Sequence, residues 1–426
     1  MEQGGKIPIP STSTVSTKPP VSPRAAAALR SWGDIPDNIL VCVSAFLRCR
    51  ADRVHMACVN RQWWAAVRGV RRPPPPVLPP LPPLPPQLPW LIFPSTAEPP
   101  TFYSPLTGRH HRLCRLPHDV RRARCCGSGD GGWLVLALNS RHAHVLYNLD
   151  TSQRIPLPPG FRTPRNADFP LVVHAAALSA APSPDVQYMV AAIVLVASGS
   201  TAAFWVEGSP SWFAPGDLRA TRPQDVIFYV GGFYFVGADE GVVAFYPYHA
   251  PDGGVTFARL DYQMQQRGDY NDDLGFVGNH GEMTRYLVVS QGRLLMVVRY
   301  VYDYDGGTTE MIRVFGFLVT EPLANLAHQP PRATWVSLGN ELGGRMLFLG
   351  RGCSRCFEVA QYDGFQESMI YFLDEGFVSV LSVDGRTLYS FTDMGRYSME
   401  EMATEPWPPG RCPSRSDNAP PTWWLH

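Results

Sequence analysis

The side chains whose types and spacing bear on chemistry are cysteines, histidines and one cluster of carboxylates. Cys353 and Cys356 form a single C-x-x-C, and Cys125 and Cys126 are adjacent. A structural zinc site takes four ligands, and no matching second pair occurs, so the C-x-x-C reads as half a motif met by chance. No βαβ pattern surrounds it, which also argues against a redox dithiol. His110 and His111 are neighbours; in a strand they face opposite sides and do not easily share one metal. Asp272, Asp273, Asp303 and Asp305 lie in a zone that also holds Tyr270, Tyr300, Tyr302 and Tyr304. Paired carboxylates can do acid–base work, but aspartates beside strands are more often turn residues. The run Gly127-Ser128-Gly129-Asp130-Gly131-Gly132 is glycine-rich, yet it precedes a strand and no lysine follows. A phosphate cradle needs backbone N–H groups at a helix start, so this run reads as a connecting turn. No G-x-S-x-G or H-E-x-x-H occurs. The expectation is a protein that is not an enzyme, with no metal and no cofactor.

The elements around these residues fall into four stretches. Residues 1–30 are polar and rich in Pro, Ser and Thr, and the composition predicts a disordered tail. Residues 31–70 predict three short helices. Ile35, Ile39, Leu40, Val43, Phe46 and Leu47 recur at steps of three and four, one face of a helix. Pro36 suits its first turn. A second helix carries Val54, Ala57 and Cys58. Asn60 is the N-cap expected for a third, which carries Trp63, Trp64 and Val67. So small a unit buries too little surface to stand comfortably alone. Residues 71–89 are a proline tract, read as a stiff polyproline spacer, with an SH3- or WW-type docking segment as the alternative.

From residue 90 to 426 short apolar runs alternate with turn clusters. Trp133 to Leu138 and His144 to Leu149 bracket a turn at 139–142. Val226 to Val230, Gly232 to Gly237, Gly241 to Tyr246 and Val255 to Leu260 follow one another closely. Val, Ile, Phe, Tyr and Trp suit strands, and Asp-Gly pairs supply the positive φ that hairpins need. Helical periodicity is hard to find here. Antiparallel hairpins over so long a stretch fit radially repeated four-stranded sheets. At about 40–50 residues per blade, they predict roughly seven blades. Aromatic residues near turns, among them Trp205, Trp212, Phe213, Tyr246 and Tyr248, suit a binding face, although most are expected in blade cores.

Composition excludes several classes. The chain has 426 residues, 45% of them hydrophobic, and a formal net charge of zero. Nothing resembles a nucleic-acid footprint. No apolar run is long enough to predict a membrane span, and no secretory leader is expected. Nine cysteines, an odd number, fit reduced thiols in cytoplasm or nucleus. Lys6 and Lys18 are the only lysines against 35 arginines. GC-rich codon usage accounts for this, as would the avoidance of acceptor amines for self-modification.

Two resemblances organise these readings. Trp32, Asp34 to Asp37, Ile39, Leu40, Asp52, Arg53, Val59, Arg61 and Trp63 together resemble an F-box, with Ile35 where most members carry Leu and Asn60 where many carry Cys. The resemblance implies docking to a Skp-type adaptor and, through it, to a cullin ubiquitin ligase, with Ile35, Pro36, Ile39, Leu40, Leu47 and Val59 at the adaptor and Trp63 in a structural role. Several of these side chains are equally suited to packing within the helices. Further on, Trp335 to Gly339, Leu342 to Gly350 and Ser368 to Asp374 are similar to the plant KIB-type β-propeller. So are Phe102 to Gly108 with Leu116-Pro117, and the closing Pro421 to Trp424. The expected architecture is therefore an α+β multidomain chain, a small three-helix F-box followed by an all-β propeller. The expected function is that of a substrate-receptor subunit, whose propeller recruits an unknown target protein. The alternatives are a non-ligase scaffold with a degenerate F-box and, more remotely, a propeller enzyme or sugar binder.

Overall fold

The computed structural model describes residues 32–68, 86–93, 100–112, 116–121, 123–138, 143–162, 168–170, 172–196, 199–214, 222–251, 253–278, 281–302, 307–321, 330–373, 389–390, 393–409, 415–416 and 419–425. The expected tail, most of the proline tract, the turn at 139–142, and Asp303, Tyr304 and Asp305 lie outside them. Two compact units are present. One comprises residues up to Leu47 together with Arg53–Leu81; the other comprises Arg48–Asp52 together with Pro82–His426.

The first unit holds α1 (Asp37–Phe46), part of α2 (Arg50–Ala57) and α3 (Arg61–Val67). Pro36 precedes α1 with φ −59°, the value its ring imposes. The Asn60 side chain accepts from Trp63 N at 2.9 Å, capping α3 as its position predicts. Leu40, Met56 and Ala66 form the core of this unit, with Ile35, Val41, Leu47, Trp63 and Val67 packed around them. Gln62 ties the start of α1 to α3. Its Nε2 donates to Ile35 O and to Asp37 Oδ1, each at 2.8 Å.

The second unit is a propeller of six blades, not seven. Blade one comprises Trp90–Phe93, Thr101–Ser104, Arg109–Arg112 and the C-terminal strand Thr422–Trp424; blade two comprises Arg124–Gly129, Trp133–Ala137, His144–Asn148 and Arg154–Leu157. Blade three is built on Val173–Leu178, Met189–Val196 and Gly199–Val206. Blade four is Pro223–Tyr229, Gly232–Gly237, Val242–His249 and Val255–Asp261. Blade five is Gly281–Ser290, Arg293–Tyr302, Thr308–Glu321 and Arg332–Ser337, with Gln263–Gln265 added at its edge. Blade six gathers Arg355–Glu358, Arg345–Phe348, Met369–Phe372, Gly395–Ser398 and Ala403–Pro406. Dividing chain length by a standard blade overcounts because blade five carries strands of 10, 10 and 14 residues, well above the usual five or six.

The cores lie between blades rather than within them. Leu134 and Leu136 pack toward blade one with Trp90 and Phe102, whereas Trp133 and Val135 pack toward blade three with Val173 and Val190. The same division recurs at every junction round to blade six, where Phe348 and Tyr371 meet Leu91 and Trp423 of blade one. A strand buried on both faces has no polar side, which is why these strands read as continuous apolar runs. Among the described residues two helices escape the sequence reading, the single turn His118–Arg121 and a longer one. Tyr270–Gly278 is α-helical despite Gly275 and Gly278, residues that disfavour helix; tertiary contacts described below hold it.

Candidate functional site

On α1 two apolar stripes run side by side. Leu40 is 1% exposed and belongs to the core, and Leu47 and Val41 pack beside it. The other stripe, Ile39, Val43 and Phe46, follows i, i+4, i+7 spacing and is 47%, 43% and 78% exposed. Val59 is half exposed and Pro36 is exposed as well. A helix apolar on both sides satisfies only one of them by folding. The expected adaptor residues therefore divide. Pro36, Ile39 and Val59 are surface groups, Leu40 is interior, and Ile35, Leu47 and Trp63 are half-buried against it. Trp63 Nε1 donates to Trp32 O at 3.0 Å, and the two indoles meet edge to face at 6.1 Å. Val43 and Phe46 belonged to the helical period but not to the expected contact set; their exposure marks them now.

In the propeller, the residues singled out for chemistry lie apart. Cys353 sits in the core between blades six and one, while Cys356 packs toward blade five, its Sγ 3.2 Å from Ser290 Oγ. The seven cysteines among the described residues are all free thiols. His110 pairs across from Tyr103, and His111 from Phe102, on opposite faces. His111 stacks on the Phe102 ring at 5.0 Å. The glycine-rich run forms the end of an inner strand, Arg124–Gly129, followed by a 3-10 turn at Asp130–Gly132.

The acidic zone is occupied by arginine. Arg267 binds Glu240 through two nitrogens, each at 2.8 Å, and Asp269 through a third at 2.6 Å. It also pairs with Asp273, whose Oδ1 accepts from Tyr300 Oη at 2.7 Å. Arg285 reaches Glu240 at 3.3 Å, and Arg313 reaches Asp269 at 3.0 Å. Burial alone would favour loss of the Arg267 charge, but its carboxylate partners outweigh burial and hold its pKa above the ordinary arginine value. These contacts fix the helix Tyr270–Gly278 against blade five. A carboxylate so engaged is not a free base.

Among the described residues, two recesses mark the propeller axis. The larger, about 320 Å³, lies where inner strands of blades two, three and four end, with Leu178, Ala181, Tyr229, Val230, Val289 and Arg355 in its wall. The smaller, about 30 Å³, lies where inner strands of blades two and three begin, beside Arg124, His174, Arg351 and Thr422. Cys353 lines both. Between them the backbone is closely packed. A Cβ on Gly127 would lie 2.0 Å from the Ala176 carbonyl oxygen, and one on Gly352 would lie 2.2 Å from the same atom.

A six-bladed ring of antiparallel sheets with its cores between the blades defines a β-propeller. The sequence from 102 to 398 matches the KIB1-4 β-propeller family, and the chain belongs to it. The motifs from Trp335 to Leu373 fall within that match. No curated protein matches the chain. Among solved structures, BBS1N in complex with ARL6DN is 13% identical, with a TM-score of 0.25, over 50% of this chain and 58% of that one. A second crystal of that complex is covered over 64% of its chain, so this protein spans under two thirds of both. The PQQ-bound aldose sugar dehydrogenase of Streptomyces coelicolor is 12% identical, with a TM-score of 0.24, over 50% of this chain and 80% of that one. Likenesses at these scores carry no functional argument. No helix among the described residues is long and apolar enough to cross a membrane.

Proposed function

We propose that this chain is the substrate receptor of a cullin-type ubiquitin ligase, its three-helix unit serving as an F-box for a Skp-type adaptor and its propeller holding a target protein. The observation that carries the reading is the exposed stripe Ile39–Val43–Phe46 beside Pro36 and Val59. Contiguous exposed apolar surface on a small unit marks a protein contact, and each aliphatic anchor buried contributes about 1.5–3 kcal/mol. Leu40, being interior, supports that contact only by holding α1 in place. In this reading residues 31–70 are the docking module, 71–89 a spacer and 90–426 the target-binding domain. The protein works in cytoplasm or nucleus and performs no covalent chemistry. It acts by proximity, raising the effective concentration of target lysines near the transferring enzyme.

The test is co-expression of the full chain with a Skp-type adaptor, followed by purification of the adaptor. A one-to-one complex is expected, lost in the Ile39→Asp/Val43→Asp variant while its circular dichroism stays unchanged. A folded wild-type chain that ignores the adaptor would overturn the ligase reading and leave the propeller as a non-ligase scaffold.

A further inference from the structure

Lysine stops at residue 18. Lys6 and Lys18 precede every described residue, and from Trp32 to His426 every cationic side chain other than histidine is arginine. The fold accounts for the buried ones. Arg299 donates from three separate nitrogens, to Thr309 Oγ1 at 2.6 Å, to Leu373 O at 2.7 Å and to Asp393. A lysine would offer a single nitrogen there. Arg267 likewise engages Glu240, Asp269 and Asp273 together. The fold does not account for the exposed ones. Arg154 meets Asp119 at 2.7 Å, with the two side chains 43% and 41% exposed, and Arg355 meets Asp130 at 3.0 Å. Surface pairs of this kind contribute about 0–1 kcal/mol, whichever cation supplies them. Arg109 and Arg293 begin their strands in exposed positions, where lysine would serve as well. Codon usage accounts for how lysine came to be scarce; what its absence does on the folded body is a separate matter of chemistry.

We propose that the lysine-free body makes this receptor refractory to the ubiquitin transfer its own ligase performs, so that it outlasts the targets it delivers. The inference rests on the ligase reading above. In that transfer the unprotonated amine of a lysine attacks the carbonyl carbon of the thioester that joins ubiquitin to the transferring enzyme. The C–S bond breaks, an isopeptide C–N bond forms, the thiolate leaves and the amine gives up a proton; nothing is oxidised or reduced. Lysine, with a pKa of about 10.4, keeps a small unprotonated fraction at neutral pH. A guanidinium stays protonated and supplies no such nucleophile. A receptor is tethered in the ligase through every cycle, whereas a target only visits. Any amine on the receptor's surface would therefore stand at the higher effective concentration. Arginine in place of lysine keeps the surface charge and removes the acceptor. Lys6 and Lys18 are then the only lysine acceptors on the chain.

The experiment purifies the full chain in complex with the adaptor, then adds cullin, transferring enzyme, activating enzyme, ubiquitin and ATP. Ubiquitin remnants on the receptor are located and timed by mass spectrometry. The comparison is with a variant carrying Arg109→Lys, Arg154→Lys and Arg293→Lys, which returns amines to blades one, two and five. The variant is expected to be modified several-fold faster than wild type, with the added remnants on the three new lysines and circular dichroism unchanged. Each substitution is also made singly, so that one that disturbs folding leaves the others to be read. Equal rates in wild type and the folded variants would overturn the proposal, as would hydroxylamine-labile ester adducts on the wild-type body. An adaptor that does not bind overturns the ligase reading and this inference with it; a bound adaptor with equal rates overturns this inference alone.

Discussion

Asp225 of blade four reaches Gly352 of blade six across the propeller axis, its Oδ1 accepting from Gly352 N at 2.8 Å. The same oxygen accepts from Val226 N at 2.8 Å, and Oδ2 accepts from Leu287 N of blade five at 2.7 Å. One carboxylate, 1% exposed, therefore joins three blades through backbone donors. Removing it strands those donors in a place water does not reach, at about 1–3 kcal/mol each. Asp225→Ala is expected to lower unfolding free energy by about 3 kcal/mol or more by that account, and Asp225→Asn by less, since Asn keeps one acceptor oxygen. Urea titration of both variants checks the order; equal losses would refute it.

At Gly127 the space, rather than the dihedral, excludes a side chain. A methyl there meets the Ala176 carbonyl at 2.0 Å, and backbone cannot step aside as a flexible side chain would. Gly127→Ala is expected to destabilise the propeller far more than the usual helix or loop Gly→Ala change. A thermal melt comparing it with Gly268→Ala, where nothing lies within 4 Å and the backbone is not left-handed, isolates the clash.

Glu240 holds a left-handed backbone conformation, φ 65°, beneath its two bonds to Arg267. Its carbonyl also accepts from Trp335 Nε1 at 2.9 Å. Breaking a buried ion pair by removing one partner costs about 3–5 kcal/mol. Glu240→Gln is expected to fall in that range, with hydrogen exchange rising first in the helix Tyr270–Gly278, whose Asp273 shares Arg267. Uniform exchange across blades four and five would show that the helix does not depend on this pair.

His174 sets a pH dependence. Burial first, and then the charges of Arg351 and Arg124, hold its pKa well below the ordinary 6.5. Between that depressed value and 6.5 the unfolded chain binds a proton on this ring that the folded chain does not. Stability is therefore complete above about pH 6.5 and falls as the pH drops below it. Lowering the pH from 7.5 to 5.5 is therefore expected to cost stability through this ring. Denaturant titrations of wild type and His174→Gln at both pH values test it, the variant being expected to lack that increment. Equal losses in the two would refute the assignment.

Much of the propeller was legible in sequence because its strands obey local rules. In blade four the runs at 226–230, 232–237, 241–246 and 255–260 became strands at Pro223–Tyr229, Gly232–Gly237, Val242–His249 and Val255–Asp261. The cap at Asn60 was local as well. What escaped depends on partners distant in sequence. The helix Tyr270–Gly278 is anchored through Asp273 to Arg267 and Tyr300. The blade count turned on strand length in blade five. The division of α1 into an interior Leu40 and an exterior Ile39, one residue apart, is set by where α3 packs. The axial cluster of Arg124, His174 and Arg351 has no spacing signature at all, since three separate blades supply it.

Blade one takes three strands from residues 90–112 and its fourth from Thr422–Trp424, in register Trp90↔Trp424, Leu91↔Trp423 and Ile92↔Thr422. During synthesis the first three emerge while their innermost partner is still more than 300 residues from being made. Until it arrives, Trp90 and Leu91 present unpaired backbone at a sheet edge, the kind of surface on which chains aggregate. Ribosome-bound intermediates would then be open arcs in need of a chaperone's cover, and the arrival of Thr422–Trp424 decides whether the arc becomes a ring.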